Sequence, residues 1–219
     1  MSTHVPQSRI LIVRHGETNE NVQGIIQGQL DTLLNDMGVQ QARITGQALS
    51  KEPVMRIISS PLKRTMHTAE EIAAHHPSVQ IEREPRLMER CFGVLQGQVY
   101  RGPAQKPEDT EGIEPSIAMV ARLQSFWHDL MKDMKAQPSV VVLVSHGGAI
   151  STLVNQVVVP EGHAVHGPGI TPSRFWNCSI SDIHLYDHPS KPGTIVRWAD
   201  VSHLHEATHK VVNVDEAAN

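Results

Sequence analysis

The sequence is poor in cysteine. Its 219 residues hold two, Cys91 and Cys178. That is too few for a disulfide scaffold, and the pair has no metal-ligand spacing. Both read as small packed residues, and a reducing compartment, the cytoplasm, is the simplest setting for them. Long apolar runs are lacking too. No stretch reaches the roughly 18 to 20 residues that a membrane helix needs, and the apolar stretch near the start is too short for a secretory signal. Membrane partners are not expected. Excess positive charge is also missing, since 19 Lys and Arg face 23 Asp and Glu for a formal net charge of −4. A general nucleic-acid binder needs many basic contacts to phosphates, so no nucleic-acid partner is expected. A local basic pocket for one small anion is compatible with that balance. There are no repeats, low-complexity tracts or interdomain linkers. The length suits a single domain over 1–219, with its core over 9–205 and a polar, frayed tail over 206–219. Nothing in the pattern decides the oligomeric state.

Histidine, by contrast, is plentiful, with 14 copies. His75–His76, His163 with His166, and His203, His205 and His209 invite a metal reading. None shows a metalloprotease or zinc-finger pattern. The expectation is scattered surface histidines, with no metal and no cofactor.

Ile10–Val13 is a continuous apolar run, as in a strand covered on both faces, and it ends in Arg14-His15-Gly16. A polar loop follows. Asn35-Asp36 offers a helix N-cap, with Val39, Ala42, Ile44, Ala48 and Leu49 as an approximate face to Ser50. Val54–Ile58 reads as a second strand ending at Ser59-Ser60, and Pro61 suits the first turn of a helix running to His75. Val79–Ile81 reads as a short third strand. Residues 91–112 are rich in glycine and proline, an irregular excursion. Ile117–Lys135 carries Ile117, Val120, Leu123, Trp127, Leu130 and Met134 at helical spacing. Val140–Val144 is the strongest strand, ending in Ser145-His146-Gly147-Gly148 before a helix over Ala149–Val157. Ile180–Tyr186 alternates like a half-exposed strand and pairs with Thr194–Trp198. This alternation predicts a three-layer α/β sandwich, with a mostly parallel central sheet flanked by helices.

In parallel sheets, ligands bind beyond the carboxyl ends of the strands. Those ends deliver Arg14 and His15, then Ser59, Ser60 and Arg64, then Ser145, His146 and Gly147. If the strands are neighbours, two histidines and two arginines converge. Phosphoryl transfer spreads charge over the equatorial oxygens, which fixed positive charge and N–H donors stabilise. Arginine binds phosphate bidentately and stays charged. Glycines after His146 let helix-start amides approach an anion. A neutral imidazole can attack phosphorus and split hydrolysis into two steps. Protonating the departing alkoxide then falls to Glu17 or Glu89.

These residues carry a resemblance. Leu11 to Thr18 resembles the signature of the histidine phosphatase superfamily, in its phosphoglycerate mutase-like branch. The likeness extends through Asn21, Gly24, Gln27-Gly28, Asp31, Leu34 and Gly38. Ser59 to Thr65, Glu89 to Gly97 and Val144 to Gly148 resemble the later blocks, in the family's order. The resemblance implies that His15 is the phosphorylated nucleophile. Arg14, Arg64 and His146 clamp the phosphoryl oxygens, and Glu89 is proton donor and then base. It also implies phosphate contacts from Asn21, Gln27, Gly28 and Gly147, and an orienting role for Glu17.

Cofactor-dependent phosphoglycerate mutases resemble this chain around His15, but carry a longer basic insertion after the third block. Here Gln98 to Ser116 is short and acidic on balance. The expected activity is metal-independent hydrolysis of small phosphomonoesters, such as sugar phosphates. A phosphoglycerate mutase and a non-catalytic phosphate- or phosphoprotein-binding module are the alternatives. Gln96 stands where the family commonly has glutamate, which touches the bracing of the substrate loop. Substrate choice is assigned to Gln98–Ser116 and His163–Pro172.

Overall fold

A computed structural model describes residues 6–102, 111–186 and 191–204. The expected tail over 206–219, like part of the 98–116 excursion, lies outside the described residues. Strands β1 (Ser8–Arg14), β2 (Val54–Ser59), β3 (Ile81–Arg83), β4 (Val140–Ser145), β5 (Ala164–His166), β6 (Ile180–Leu185) and β7 (Gly193–Asp200) form one seven-stranded sheet in the order β3-β2-β4-β1-β6-β7-β5. The β2–β3, β2–β4, β1–β4 and β5–β7 pairs are parallel. Among the described strands, only β6 runs against its neighbours, β1 and β7.

The strands read as continuous apolar runs because each feeds two cores. Successive side chains of a strand point to opposite faces. Ile10 and Ile12 of β1, with Val141 and Leu143 of β4, join the core under helix α4 (Ser116–Ala136) and helix α5 (Gly147–Thr152). Leu11 and Val13, with Val142 and Val144, join the opposite core under helix α3 (Lys63–Ala73). Helix α2 (Asp36–Leu49) flanks α3 and contributes Leu49 to that core. Helix, sheet and helix make the three layers expected from the alternation. No described helix is long and apolar enough to cross a membrane.

Several local expectations shift. Residues 19–23, read as loop, form the short helix α1 (Asn19–Gln23), closed by a Thr18/Asn21 capping box. Pro61 stands two residues before α3 instead of in its first turn, and Leu62 is the N-cap. The third strand begins at Ile81, where the expectation ended. The helix after β4 passes at Leu153 into a π-helical turn to Val158. On α4, Ile117 is exposed, while Met119 and Phe126 complete the buried face. Strand β6 is not half-exposed. It lies between β1 and β7, and its polar positions are buried because they are partnered. Asp182 takes the Arg9 guanidinium at 2.7 Å, and the Ser181 hydroxyl accepts the Ala199 N–H at 2.8 Å. The strand β5 was not foreseen.

Candidate active site

The ends of β2, β4 and β1 lie side by side in the sheet, so the conditional convergence is realised. Arg14, His15, Arg64, Glu89 and His146 are all buried within one site. The His15 and His146 rings stand 5.2 Å apart at 59°.

His15 is fixed through Nδ1, which donates to the carbonyl of Gly16 at 2.7 Å. That bond assigns the proton to Nδ1 and leaves the lone pair on Nε2. Burial, then the charges of Arg64 and Arg14, hold its pKa well below the ordinary histidine value. The same causes, led by burial and Arg64, lower that of His146. Both rings are therefore neutral at pH 7.

The His15 backbone is gripped from the lead-in to β6. Its carbonyl accepts from Asn177 Nδ2 at 3.1 Å and from the Cys178 N–H at 3.2 Å. Cys178 sits at φ 54° to make this contact. Burial pushes its thiol up to about 12, which keeps it uncharged beside the site. On the other side, the Gly16 N–H donates to Thr68 of α3 at 3.1 Å.

The guanidiniums are aimed by backbone carbonyls. Arg14 donates to Phe175 at 2.8 Å. Arg64 donates to Leu30 and Gly28, each at 2.7 Å. Gly28 (φ +51°) thus serves the site through its carbonyl, and a Cβ there would stand 2.4 Å from Gln96 Oε1. That oxygen accepts the Gln29 N–H at 2.8 Å and the Phe92 N–H at 3.2 Å. An amide oxygen is enough to brace this loop, so glutamine at position 96 keeps the acceptor role.

Glu89 Oε1 accepts its neighbour Arg90 N–H at 2.8 Å, and Oε2 accepts the Gly148 N–H at 2.9 Å. A start-of-helix amide expected to face an anion is thus directed at Glu89. The strip carrying Glu89 is held from α4. Arg122 donates to the carbonyls of Arg86, Met88 and Glu89 at 2.6, 2.7 and 3.2 Å, and its fork binds Glu114 at 2.6 and 2.9 Å. His146 Nε2 meets the Ser60 hydroxyl at 2.8 Å, while its buried Nδ1 has no hydrogen-bond partner among the described residues.

Glu17 is buried, and its carboxylate accepts from Asn35 Nδ2 at 2.9 Å. Asn21 and Gln27 are buried in the adjoining loop, with their carbonyl oxygens engaged. Asn21 Oδ1 accepts from Thr18 N and Asn177 Nδ2, and Gln27 Oε1 from Thr18 and Thr32. Their fixed oxygens give both a loop-bracing task. Sequence reasoning missed Ser60 as the partner of His146, and missed Asn177 and Arg122 altogether. The adjacency of Ser59-Ser60 to Arg64 was a usable signal for the first. Nothing local marks the other two, which act from 162 and 33 positions away.

The chain belongs to the histidine phosphatase superfamily (branch 1), whose family model matches residues 10–200. It is 33% identical to phosphoglycerate mutase-like protein 4 of Arabidopsis thaliana, over 94% of this chain and 90% of that one. It is 32% identical to a metal-independent phosphoserine phosphatase of the same plant, over 90% and 83%. A mycobacterial glucosyl-3-phosphoglycerate phosphatase, solved with a vanadate species (VO3), shares the fold with a TM-score of 0.69 and 25% identity, over 87% and 98%. The chain is thus an enzyme of the histidine-phosphatase type.

Proposed function

We propose that the chain hydrolyses alkyl phosphomonoesters in two steps through a phosphohistidine on His15. The observation that carries this reading is the fixed, neutral imidazole. Nδ1 is tied to Gly16, the ring stands 5.2 Å from His146, and two arginines lie close by. In the first step, Nε2 attacks phosphorus, the P–O bond to the alcohol breaks, and Glu89 gives its proton to the departing oxygen. In the second, Glu89 takes a proton from water, the oxygen attacks phosphorus, and His15 leaves as the neutral ring. Arg14 and Arg64 balance the charge on the equatorial oxygens. His146 accepts from Ser60 at Nε2, so its buried Nδ1–H is the donor to a phosphoryl oxygen. Amide donation from Asn21 and Gln27, and the backbone at Gly28 and Gly147, completes the cradle.

Two relatives' names support alkyl esters. Phosphoserine and glucosyl-3-phosphoglycerate both carry phosphate on an alcohol oxygen. An alkoxide is a poor leaving group, which gives Glu89 its task. A net charge of −4 suits a single small anion better than a nucleic acid.

Replacing His15 with Ala is expected to remove turnover while the fold is retained. Rapid quenching of the wild type should trap one acid-labile phosphate on the protein. Full activity in His15→Ala would overturn the proposal. Mutase activity is the second reading, favoured by the name of phosphoglycerate mutase-like protein 4. A coupled assay of 2- and 3-phosphoglycerate interconversion decides between the two.

A further inference from the structure

The second cluster of chemistry-bearing side chains lies away from the phosphoryl site. His128, on the exposed side of α4, and Glu161 and His163, in the turn before β5, bring two imidazole nitrogens and a carboxylate oxygen within 4.8 Å of one another. His128 Nε2 and His163 Nε2 approach the same oxygen, Glu161 Oε2, at 2.7 and 3.0 Å. We propose that His128, Glu161 and His163 form a binding site for one borderline divalent cation, with Zn²⁺ as its natural fit.

The donor set argues for that class. Two imidazoles and a carboxylate match Zn²⁺, with water as the fourth ligand, and suit Mg²⁺ or Ca²⁺ poorly. Bond lengths of about 2.0–2.1 Å put the donor atoms of a tetrahedral site roughly 3.3 Å apart. The two imidazole–carboxylate pairs reach that spacing by opening about half an ångström. Each ring then binds as neutral imidazole, its lone pair on Nε2 and its proton on Nδ1.

The ligands are also held in place. Gln124, one turn before His128, donates to the second oxygen of Glu161. This is the outer support that orients a ligating carboxylate. The turn is tied down at both ends of its short path. Glu161 N donates to Val157 at 3.0 Å, His163 N to Val158 at 3.0 Å, and Gly193 N to the His163 carbonyl at 2.8 Å. Trp127 is fully buried beside His128, and its ring meets the His163 ring at 6.0 Å. An ion here would clip α4 to the β4–β5 connection. His128 stands six residues, about 9 Å of helix, beyond the Arg122 that reaches Glu89, and none of the three ligands is a residue assigned to the phosphoryl site.

The test uses the full chain without an affinity tag. Titration with Zn²⁺ should find one equivalent bound. At about 100 times the dissociation constant, the unfolding temperature should rise by about 5–10 °C. Cu²⁺, a fluorescence quencher, should dim Trp127. His128→Ala keeps the His163–Trp127 ring contact but removes one ligand. It should weaken Zn²⁺ at least about 100-fold and abolish the thermal shift and the quenching. Glu161→Gln, an exposed change, should weaken Zn²⁺ as well. Unaltered binding in both variants would place the ion elsewhere and overturn the proposal, as would the absence of any binding to the wild type. Phosphatase turnover should persist in EDTA throughout, so this test stands or falls apart from the phosphohistidine reading.

Discussion

A carboxyl group that must give up a proton and then recover it has to stay in one place through both steps. Glu89, to which we assign that task, is fastened on two levels. Its oxygens hold the Arg90 and Gly148 amides, and its backbone strip is held by Arg122, which is itself forked onto Glu114. The Arg122–Glu114 pair is mostly shielded from water, at 18% and 15% side-chain exposure, so it is worth more than a surface pair. Replacing Glu89 with Gln keeps the outline and removes the proton, and it leaves one of the two backbone amides, Arg90 or Gly148, facing an NH2 group that cannot accept. Hydrolysis of alkyl phosphates should fall by about 100-fold or more. p-Nitrophenyl phosphate, whose leaving group needs no acid, should be slowed far less. Equal slowing of both, in steady-state assays, would take the proton-donor role from Glu89.

At the scale of elements, the loop that carries His15 owes its position to the way helices lean on it. The N-terminal turn of α2 lies against Gly16-Glu17 because position 38 has no side chain. A Cβ on Gly38 would stand 2.0 Å from the Glu17 carbonyl oxygen. Gly38→Ala is therefore expected to destabilise the protein by about 1–3 kcal/mol and to lower kcat by displacing His15. Thermal unfolding and assay of the same sample check both effects, and an unchanged kcat would show that the loop absorbs the shift. The same close packing explains where the sequence was hard to read. Gly46 abuts Glu71 of α3, and Gln41 and Thr45 are buried beside it. The inward face of α2 is thus small and polar, and its hydrophobic period is blurred. Strands β1 and β4 were legible because each feeds two cores. Strand β6 was misjudged because Asp182 and Ser181 look solvent-facing until Arg9 and Ala199 are brought to them. The site residues within the Arg-His-Gly and Ser-His-Gly-Gly segments were readable from strand ends. Asn177 and Arg122 were not, since only the folded chain joins them to His15 and Glu89.

For the molecule as a whole, the site has a cost that shows in its response to acid. His15 and His146 are buried neutral, with pKa values well below the ordinary one. In the unfolded chain both take up protons as pH falls through about 6.5. The unfolded state then binds more protons than the folded one, so stability falls with falling pH. Each histidine contributes up to about 1.4 kcal/mol per pH unit below 6.5. Denaturant unfolding at pH 6.5 and 5.5 should show a loss of up to about 2 kcal/mol from the pair, and His15→Ala should remove about half of it. A flat profile between those values would mean that the two rings titrate normally in the fold.

The antiparallel strand β6 bears on the order in which the molecule comes into being. Strand β1, with His15 at its end, is made first, yet its neighbours β4 and β6 begin at residues 140 and 180. Pairings so distant along the chain are slow to form. During synthesis, β1 is made more than 120 residues before either of its sheet partners. The carbonyl of His15 is gripped only when Asn177 and Cys178 arrive. The backbone contacts that hold His15 therefore form only after residue 178 has been added, and a shorter nascent chain lacks that grip on its proposed nucleophile.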